Sequence, residues 1–195
     1  MTLDLELLDQ ESAEEALRAV ADEARRNDID WALIGGLAMA LYGSDRNTKD
    51  IEIIANKPLP FEGAGRLRQG GERYIIRTGR KGVAVDWIIR KDEFKVLFDA
   101  ALNESVKIGE VPVLTPEWLV ILKFIAGRFK DQEDAVFLLS RKGLVDRRKI
   151  KEKIVEHVGA PAWGLARHGY QRWFDIADGR ARDERLDHDD GYIDS

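Results

Sequence analysis

The chain has 195 residues and a mass of 22.1 kDa, a length that allows one domain or a small core with an appendage. It contains no cysteine, which excludes a disulfide framework, a thiolate metal site and a cysteine nucleophile. Its formal net charge is −5, which excludes a uniformly basic nucleic-acid binder. The first residues lack the basic and apolar parts of a signal peptide, and no apolar run approaches the roughly 20 residues that cross a bilayer. We therefore expect a cytoplasmic protein that does not associate with membranes.

Strands and short helices alternate in the first half of the sequence. Apolar residues recur at helical spacing after the acidic N-terminus, and short apolar runs bounded by glycine indicate buried strands. We predict a helix over 11–27, a strand over 31–35, a short helix over 37–42, a strand over 51–55, a helix near 61–69, a hairpin that pairs 73–78 with 82–90, and a helix over 92–103.

The second half is predicted to be helical after one short strand. Aromatic residues recur at helical spacing near its end, which is typical of core packing. We predict a strand over 111–114 and helices over 116–128, 130–141, 146–157 and 161–177. The expected fold class is α+β, a small mixed sheet with flanking helices (1–103) followed by a helical C-terminal part (104–178) and a flexible acidic tail (179–195).

Charge is distributed unevenly along the chain. Residues 1–30 hold ten acids and three bases, whereas residues 64–95 hold nine bases and four acids, and residues 123–153 hold ten bases and five acids. Such segments are usually solvated faces of helices and hairpins. The alternative is that the two basic segments surround an anionic substrate, because local positive potential attracts phosphate.

Two adjacent glycines, Gly35 and Gly36, follow the first predicted strand and precede a helix. Glycine lets the backbone approach a ligand closely, and a strand-to-helix turn of this kind can bind phosphate. A tight strand-to-helix turn is the usual structural explanation of such a pair on its own.

Three acidic residues occur within apolar strands. Asp50 and Glu52 flank Ile51 and project to the same face, because alternate residues of a strand share a face. Asp86 lies within the apolar run VAVDWII, where an acid is costly to bury unless it is paired or binds a metal. Carboxylates without histidine suit Mg²⁺, which prefers oxygen ligands. Exposed positions or backbone partners are the alternatives for these acids.

The ordered set resembles the nucleotidyltransferase superfamily related to DNA polymerase beta. The resemblance rests on Gly35 and Gly36 after an apolar residue, then the acid-apolar-acid pattern Asp50-Ile51-Glu52, then a third acid on a later strand. It implies the minimal nucleotidyltransferase fold, a nucleoside triphosphate as substrate, and two Mg²⁺ ions. It also implies that Asp50, Glu52 and Asp86 are both the metal ligands and catalytic residues. Many relatives have Asp where this chain has Glu52.

A narrower resemblance links residues 31–140 to small bacterial nucleotidyltransferases of the abortive-infection toxin type. It implies that the acceptor is RNA, especially tRNA, or a protein, and that the chain has a toxin or antitoxin partner. By this resemblance Lys123 is a further catalytic residue, and the residues that bind the nucleotide are Gly35, Gly36, Arg46, Thr48, Arg128, Lys130 and Asp131, with Asp134 on the same helix.

Three functional hypotheses therefore stay open at this point. The first is an active nucleotidyltransferase that acts on RNA ends, a protein side chain or a small hydroxylated compound. The second is a catalytically inactive relative that binds nucleotide or a partner protein. The third is a toxin–antitoxin component whose main property is partner binding.

Overall fold

The computed structural model describes residues 8–45 and 47–182. Seven strands and three helices belong mainly to the first half of the chain, and four helices follow. In chain order the elements are α1 (Gln10–Arg26), β1 (Trp31–Ile34), α2 (Gly35–Leu41), β2 (Asp50–Ala55), β3 (Gly65–Arg66), β4 (Gly71–Arg77), β5 (Gly82–Ile88), α3 (Lys95–Asn103), β6 (Val106–Ile108), β7 (Val111–Val113), α4 (Pro116–Ala126), α5 (Phe129–Ser140), α6 (Arg147–Val158) and α7 (Ala160–Ala177).

The strands form one mixed sheet in the order β3-β4-β5-β2-β1-β7-β6. Strand β2 is central: it pairs in parallel with β5 and antiparallel with β1. Its apolar residues Ile51 and Ile53 are fully buried, which explains why this segment occupies the middle of the sheet. Helix α1 contacts β4 and β5, while α2 and α3 contact β2. The predicted α+β class, with a mixed sheet, flanking helices and a helical C-terminal part, is confirmed.

Two details of the sheet differ from the predicted elements. The helix predicted near 61–69 is wrong: this segment contains the short strand β3, which pairs antiparallel with β4. Glycines at 63 and 65 weaken a helix, and a Cβ on Gly63 would lie 2.6 Å from a carboxylate oxygen of Glu72. Strand β6 was not predicted because Val106-Lys107-Ile108 is too short to show a period of two, and its pairing with β7 supplies the missing information.

The chain divides into two compact units, Met1–Leu119 and Val120–Ser195. The division falls later than the predicted boundary after residue 103, because β6 and β7 extend the sheet of the first unit. Helix α7 ends at Ala177, as predicted within a residue, and residues 183–195 of the predicted tail lie outside the described ranges.

Aromatic side chains build much of the core of the second unit. The rings of Phe124 and Tyr170 stack with their centroids 4.0 Å apart, and Trp173 packs edge-on against Phe124 at 5.1 Å. Helix α7 packs against α5 and α6, and Tyr170 is buried. Core packing of these aromatic residues is therefore confirmed. Over the described ranges, each helix is too short or too polar to serve as a membrane span.

Candidate carboxylate site on the central strands

The three acidic residues of the predicted site share one face of the sheet. Glu52 on β2 is the register partner of Asp86 on β5, and Asp50 precedes Glu52 by two residues on the same strand. Register partners project to the same side of a sheet, as do alternate residues of a strand. The sheet therefore brings Asp50, Glu52 and Asp86 together, as the sequence predicts.

A fourth residue, Arg73, joins this face from β4. Arg73 is the register partner of Asp86 across the β4–β5 hairpin. Its Nε donates to Asp86 Oδ1 at 2.6 Å, and its Nη2 donates to Asp86 Oδ2 at 2.9 Å. The same Nη2 donates to Asp50 Oδ2 at 3.1 Å. One guanidinium nitrogen thus lies between carboxylates of two neighbouring strands.

The guanidinium offsets part of a concentrated negative charge. Asp86 is buried at 7% exposure, while Asp50 and Arg73 are half-buried. The hydrogen bond to Asp86 raises the pKa of Arg73, as do the charges of Asp86, Asp50 and Glu52, against the opposing effect of burial. The Arg73 guanidinium hydrogen-bonds to Asp86 and Asp50, and the three acids concentrate negative charge on this face, which attracts cations.

The two glycines of the first turn lie directly against the same face. An added Cβ on Gly35 would lie 1.8 Å from Glu52 Oε2, and one on Gly36 would lie 2.8 Å from Thr48 Oγ1. Thr48 Oγ1 in turn donates to the carbonyl oxygen of Asp50 at 3.0 Å. The absence of side chains at 35 and 36 therefore lets the β1–α2 turn approach β2, and it brings four predicted site residues to one place.

We expect Gly35→Ala to lower the free energy of unfolding by about 1–2 kcal/mol from backbone strain alone, because Gly35 has a φ of +66° that L-residues rarely adopt. Displacement of the Glu52 carboxylate adds to this loss. Gly43→Ala is the matched control, since Gly43 has a φ of +88° but open space around its Cβ position. Urea unfolding of both variants measures the difference. Equal losses in the two variants would show that Glu52 does not depend on Gly35.

Part of the basic segment 64–95 is engaged in ion pairs within the first unit. Its turn between β4 and β5 contacts the acidic helix α1: Lys81 Nζ lies 2.9 Å from Asp9 Oδ2, and Arg80 pairs with Glu11. Arg90 pairs with Asp92, and Arg73 pairs with the carboxylates described above. The charge asymmetry between the N-terminus and this segment therefore has a local structural explanation.

A second charged cluster lies inside the second unit. The Lys123 ammonium pairs with Asp134 and lies 3.6 Å from Asp131 Oδ1. Asp131 also accepts from Arg128 Nε at 2.7 Å and closes a capping box at the start of α5. Lys123, Asp131 and Asp134 are all buried, whereas Lys130 is exposed. This cluster joins α4 to α5 and satisfies the charges that it buries.

The Asp131 carboxyl gives the second unit an acid-sensitive contact. Burial raises the pKa of Asp131, but the hydrogen bond from Arg128 and the charge of Lys123 outweigh it, so the net pKa lies below 3.8. A carboxyl whose pKa is lower in the folded chain than in the unfolded chain stabilises the fold at pH values above its unfolded-state pKa. This stabilisation is lost as the pH falls through its folded-state pKa. The contribution is therefore complete near neutral pH and disappears only below about pH 4.

We expect Asp131→Asn to be less stable than the natural chain by about 1.5–3 kcal/mol at about pH 6, the range for hydrogen bonds to charged groups. The difference should shrink as the pH falls through the lowered pKa of Asp131, because the carboxyl of the natural chain is then neutral too. Urea unfolding at about pH 6 and over a series of acidic pH values tests this. Glu133→Gln removes an exposed carboxylate from the same helix and serves as the control. A gap that is unchanged at low pH would contradict the assignment.

The candidate site offers the type of donor atom that a divalent cation prefers. Carboxylate oxygens are the ligands that Mg²⁺ and Mn²⁺ prefer, and Asp50 and Asp86 already converge on one cationic nitrogen. However, across residues 8–45 and 47–182 no three histidine, aspartate or glutamate side chains are arranged to hold a metal ion. Arg73 takes the position between the two aspartates.

The predicted residues thus fall into two groups. Gly35, Gly36, Thr48 and the three acids lie together in the first unit, whereas Arg46 lies outside the described ranges. The other predicted residues belong to the second unit: Lys123, Arg128, Lys130 and Asp131. Arg73 was not predicted from the sequence, although a hairpin that pairs 77 with 82 also places 73 opposite 86.

Comparisons with known proteins give a distant likeness among solved structures. No protein-family model and no curated protein matches the chain. Among solved structures, the chain is similar to the crystal structure of an antigenic nucleotidyltransferase-like protein from Paracoccidioides brasiliensis, with 16% identity and a TM-score of 0.48. The likeness covers 83% of this chain and 94% of that chain.

Proposed function

We propose that this chain is a Mg²⁺-dependent nucleotidyltransferase, which moves a nucleoside monophosphate from a nucleoside triphosphate to an acceptor hydroxyl. One observation carries the proposal: carboxylates of Asp50 and Asp86, from neighbouring central strands, converge within 3.1 Å of a single cationic nitrogen. Glu52 is the register partner of Asp86, and its carboxylate lies against the glycine turn. An oxygen-rich cation site beside such a turn suits phosphoryl chemistry.

In this proposal the three carboxylates would hold the metal and orient the triphosphate. Bound Mg²⁺ supplies positive charge that stabilises the negative charge developing on the attacking and leaving oxygens. The acceptor oxygen forms a bond to the α-phosphorus, the bond from that phosphorus to the bridging oxygen breaks, and pyrophosphate leaves with the electron pair. Asp86 accepts the proton of the acceptor hydroxyl. Gly35, Gly36, Arg46 and Thr48 are proposed to contact the nucleotide.

The sequence resemblance supports a choice of acceptors and a role for the second unit. RNA ends (tRNA above all) and protein side chains are the acceptors that we propose first, with a small hydroxylated compound as the remaining class. By the same resemblance we propose that the chain is a toxin–antitoxin component. We propose that Lys123 is a catalytic residue. The residues proposed to bind the nucleotide in this unit are Arg128, Lys130 and Asp131.

A second candidate function is a catalytically inactive module that binds nucleotide or a partner protein. The bidentate contact between Arg73 and Asp86 favours it, because an aspartate that is neutralised by an internal cation needs no metal. The two candidates differ in their products: only the first transfers label covalently.

The test is a transfer assay with the full chain. Each α-labelled nucleoside triphosphate is incubated with the protein and Mg²⁺, separately with total RNA, with a protein extract and with a small-molecule filtrate. Label in one pool that is lost in an Asp50→Asn/Glu52→Gln variant supports the transferase and identifies the acceptor class. Nucleotide binding without labelled product in any pool supports the inactive module and contradicts the transferase.

A further inference from the structure

We infer that a cationic surface of the second unit binds the phosphate backbone of RNA. The choice of RNA among polyanions rests on the proposed function, in which RNA is the acceptor proposed first, whereas the position of the surface follows from the structure. Its members are exposed and come from the α5–α6 loop and the first turns of α6. We call them the loop–helix cations: Arg141, Lys142, Arg148, Lys149 and Lys151.

Positive charge is concentrated in this part of the chain. Residues 141–153 hold seven bases and only two acids, although the whole chain has a formal net charge of −5. Earlier in the basic segment 123–153, Lys123 and Arg128 pair with acids of the buried cluster. The uneven charge of the sequence therefore leads to one exposed basic surface here, and such a surface attracts phosphate.

Most of this charge is not neutralised by neighbouring acids. No carboxylate in the described part of the chain forms an ion pair with Lys142, Lys149 or Lys151. Arg148 Nη2 lies 3.2 Å from Asp146 Oδ2, but the Arg148 side chain is 86% exposed, and an exposed pair of this kind contributes little. The loop–helix cations can therefore contact a polyanion without breaking a strong internal pair.

The start of α6 is more basic than its stability as a helix requires. Its first three residues are Arg147, Arg148 and Lys149, and its first turn contains no acid, although acids are the residues favoured at a helix N-terminus. Arg147 has a structural partner, since its guanidinium donates to both carboxylate oxygens of Asp178. The other two bases add repulsion at this helix end, which a bound phosphate would offset.

An open groove of about 580 Å³ lies beside these cations. Its lining includes Arg141, Lys142 and the two aspartates that already pair with arginines of α6. The Arg141 guanidinium lies over the ring of Phe137 at 4.5 Å from the centroid, and a planar guanidinium suits phosphate oxygens. The groove has room for a nucleotide-sized group, because small-molecule sites usually measure about 300–1,000 Å³.

A membrane is the other extended anionic surface that such a patch could contact. A helix that binds membranes needs an apolar face that inserts among the lipids. The apolar residues of α6, Ile150 and Ile154, are buried in the protein, so lipid binding by α6 would depend on charge alone. The observations therefore favour a nucleic-acid backbone over a membrane.

The test measures binding of the full chain to a fluorescein-labelled oligouridylate by fluorescence anisotropy, without Mg²⁺ or nucleoside triphosphate. The natural chain is compared with Lys142→Gln/Lys149→Gln and with Lys91→Gln/Lys107→Gln, which removes the same charge from exposed positions of the first unit. Each phosphate contact with a single strand changes the slope of log K against log salt by about −0.7. Loss of two contacts should therefore weaken binding about 25-fold at about 0.1 M salt and make the slope shallower by about 1.4. The control variant should bind as the natural chain does.

Four results would overturn the inference. The natural chain could fail to bind oligouridylate at about 0.05 M salt, where such contacts are strong. Lys142→Gln/Lys149→Gln could bind as tightly as the natural chain, or the control could lose as much affinity, which would make the effect one of net charge alone. Sedimentation with phosphatidylserine vesicles in the absence of oligouridylate binding would assign the surface to a membrane.

A second measurement uses only the natural chain and identifies the surface directly. Backbone amide signals are followed by nuclear magnetic resonance during addition of unlabelled oligouridylate. We expect the largest shifts in residues 141–151. Largest shifts in the first unit, with those residues unchanged, would contradict the surface.

The outcomes for the two proposals can be told apart, because the binding test contains neither metal nor nucleotide. A chain that binds oligouridylate through the loop–helix cations but labels no acceptor contradicts the transferase and supports the surface. A chain that labels an acceptor while Lys142→Gln/Lys149→Gln binds oligouridylate as tightly as the natural chain supports the transferase and contradicts the surface.

Discussion

Asp50→Asn is expected to lower the rate of nucleotidyl transfer by about a thousandfold. A metal at the transferring phosphate contributes several kcal/mol of charge stabilisation, and each 1.36 kcal/mol corresponds to about tenfold in rate. Loss of one charged ligand from the carboxylate site removes much of this contribution. The fold should persist, because the Asp50 side chain is 29% exposed and an asparagine oxygen can still accept from Arg73.

The control for Asp50→Asn is Asp99→Asn, which removes a half-exposed carboxylate from helix α3 of the same unit, where it pairs with Lys95. The rate of the control should match that of the natural chain, and all three proteins should have similar circular dichroism spectra. A transfer rate of Asp50→Asn within a factor of about three of the natural rate would exclude the proposed metal site, since it corresponds to less than 1 kcal/mol.

Lys123→Met is expected to lower the free energy of unfolding by about 3–5 kcal/mol, the usual cost of removing one partner of a buried ion pair. Lys123 is buried with both of its acidic partners, Asp131 and Asp134. Its loss removes the ammonium that faces both buried carboxylates in a low-dielectric environment, whereas Arg128 still contacts Asp131. Urea or thermal unfolding of the full chain measures the change.

The matched variant for Lys123→Met is Lys130→Met, which removes an exposed lysine from the same region and should change stability by no more than about 0.5 kcal/mol. Transfer kinetics at a temperature where both variants are folded test the predicted nucleotide contacts separately. A Lys123→Met chain as stable as the natural one would contradict the buried pair.

Much of the fold follows from periodicity in the sequence. The amphipathic helix α1, the apolar strands β1 and β2 and the four C-terminal helices each contain enough residues to show their period. Strands β3 and β6 do not, because two or three residues carry no periodic signal and their pairing partners lie elsewhere in the chain. For β3, proline and glycine near residue 60 indicate a turn, but they do not identify the strand with which the following residues pair.

The candidate site was predictable wherever local patterns determine side-chain direction. The i,i+2 spacing of Asp50 and Glu52 fixes their common face, and the apolar context of Asp86 indicates a partner. The identity of that partner depends on long-range register, which determines that Arg73 lies opposite Asp86. The sequence predicts either a phosphate contact or a structural turn at Gly35, and its close approach to Glu52 appears only in the structure.

The most direct test of the central proposal asks which phosphate of the nucleotide reaches the acceptor. The full chain is incubated with Mg²⁺, acceptor and a nucleoside triphosphate that is labelled at either the α- or the γ-phosphorus. Nucleotidyl transfer predicts label on the acceptor from the α-labelled nucleotide only, with the γ-label released as pyrophosphate. Label on the acceptor from the γ-labelled nucleotide, or from neither, would contradict the assignment of this carboxylate site to nucleotidyl transfer.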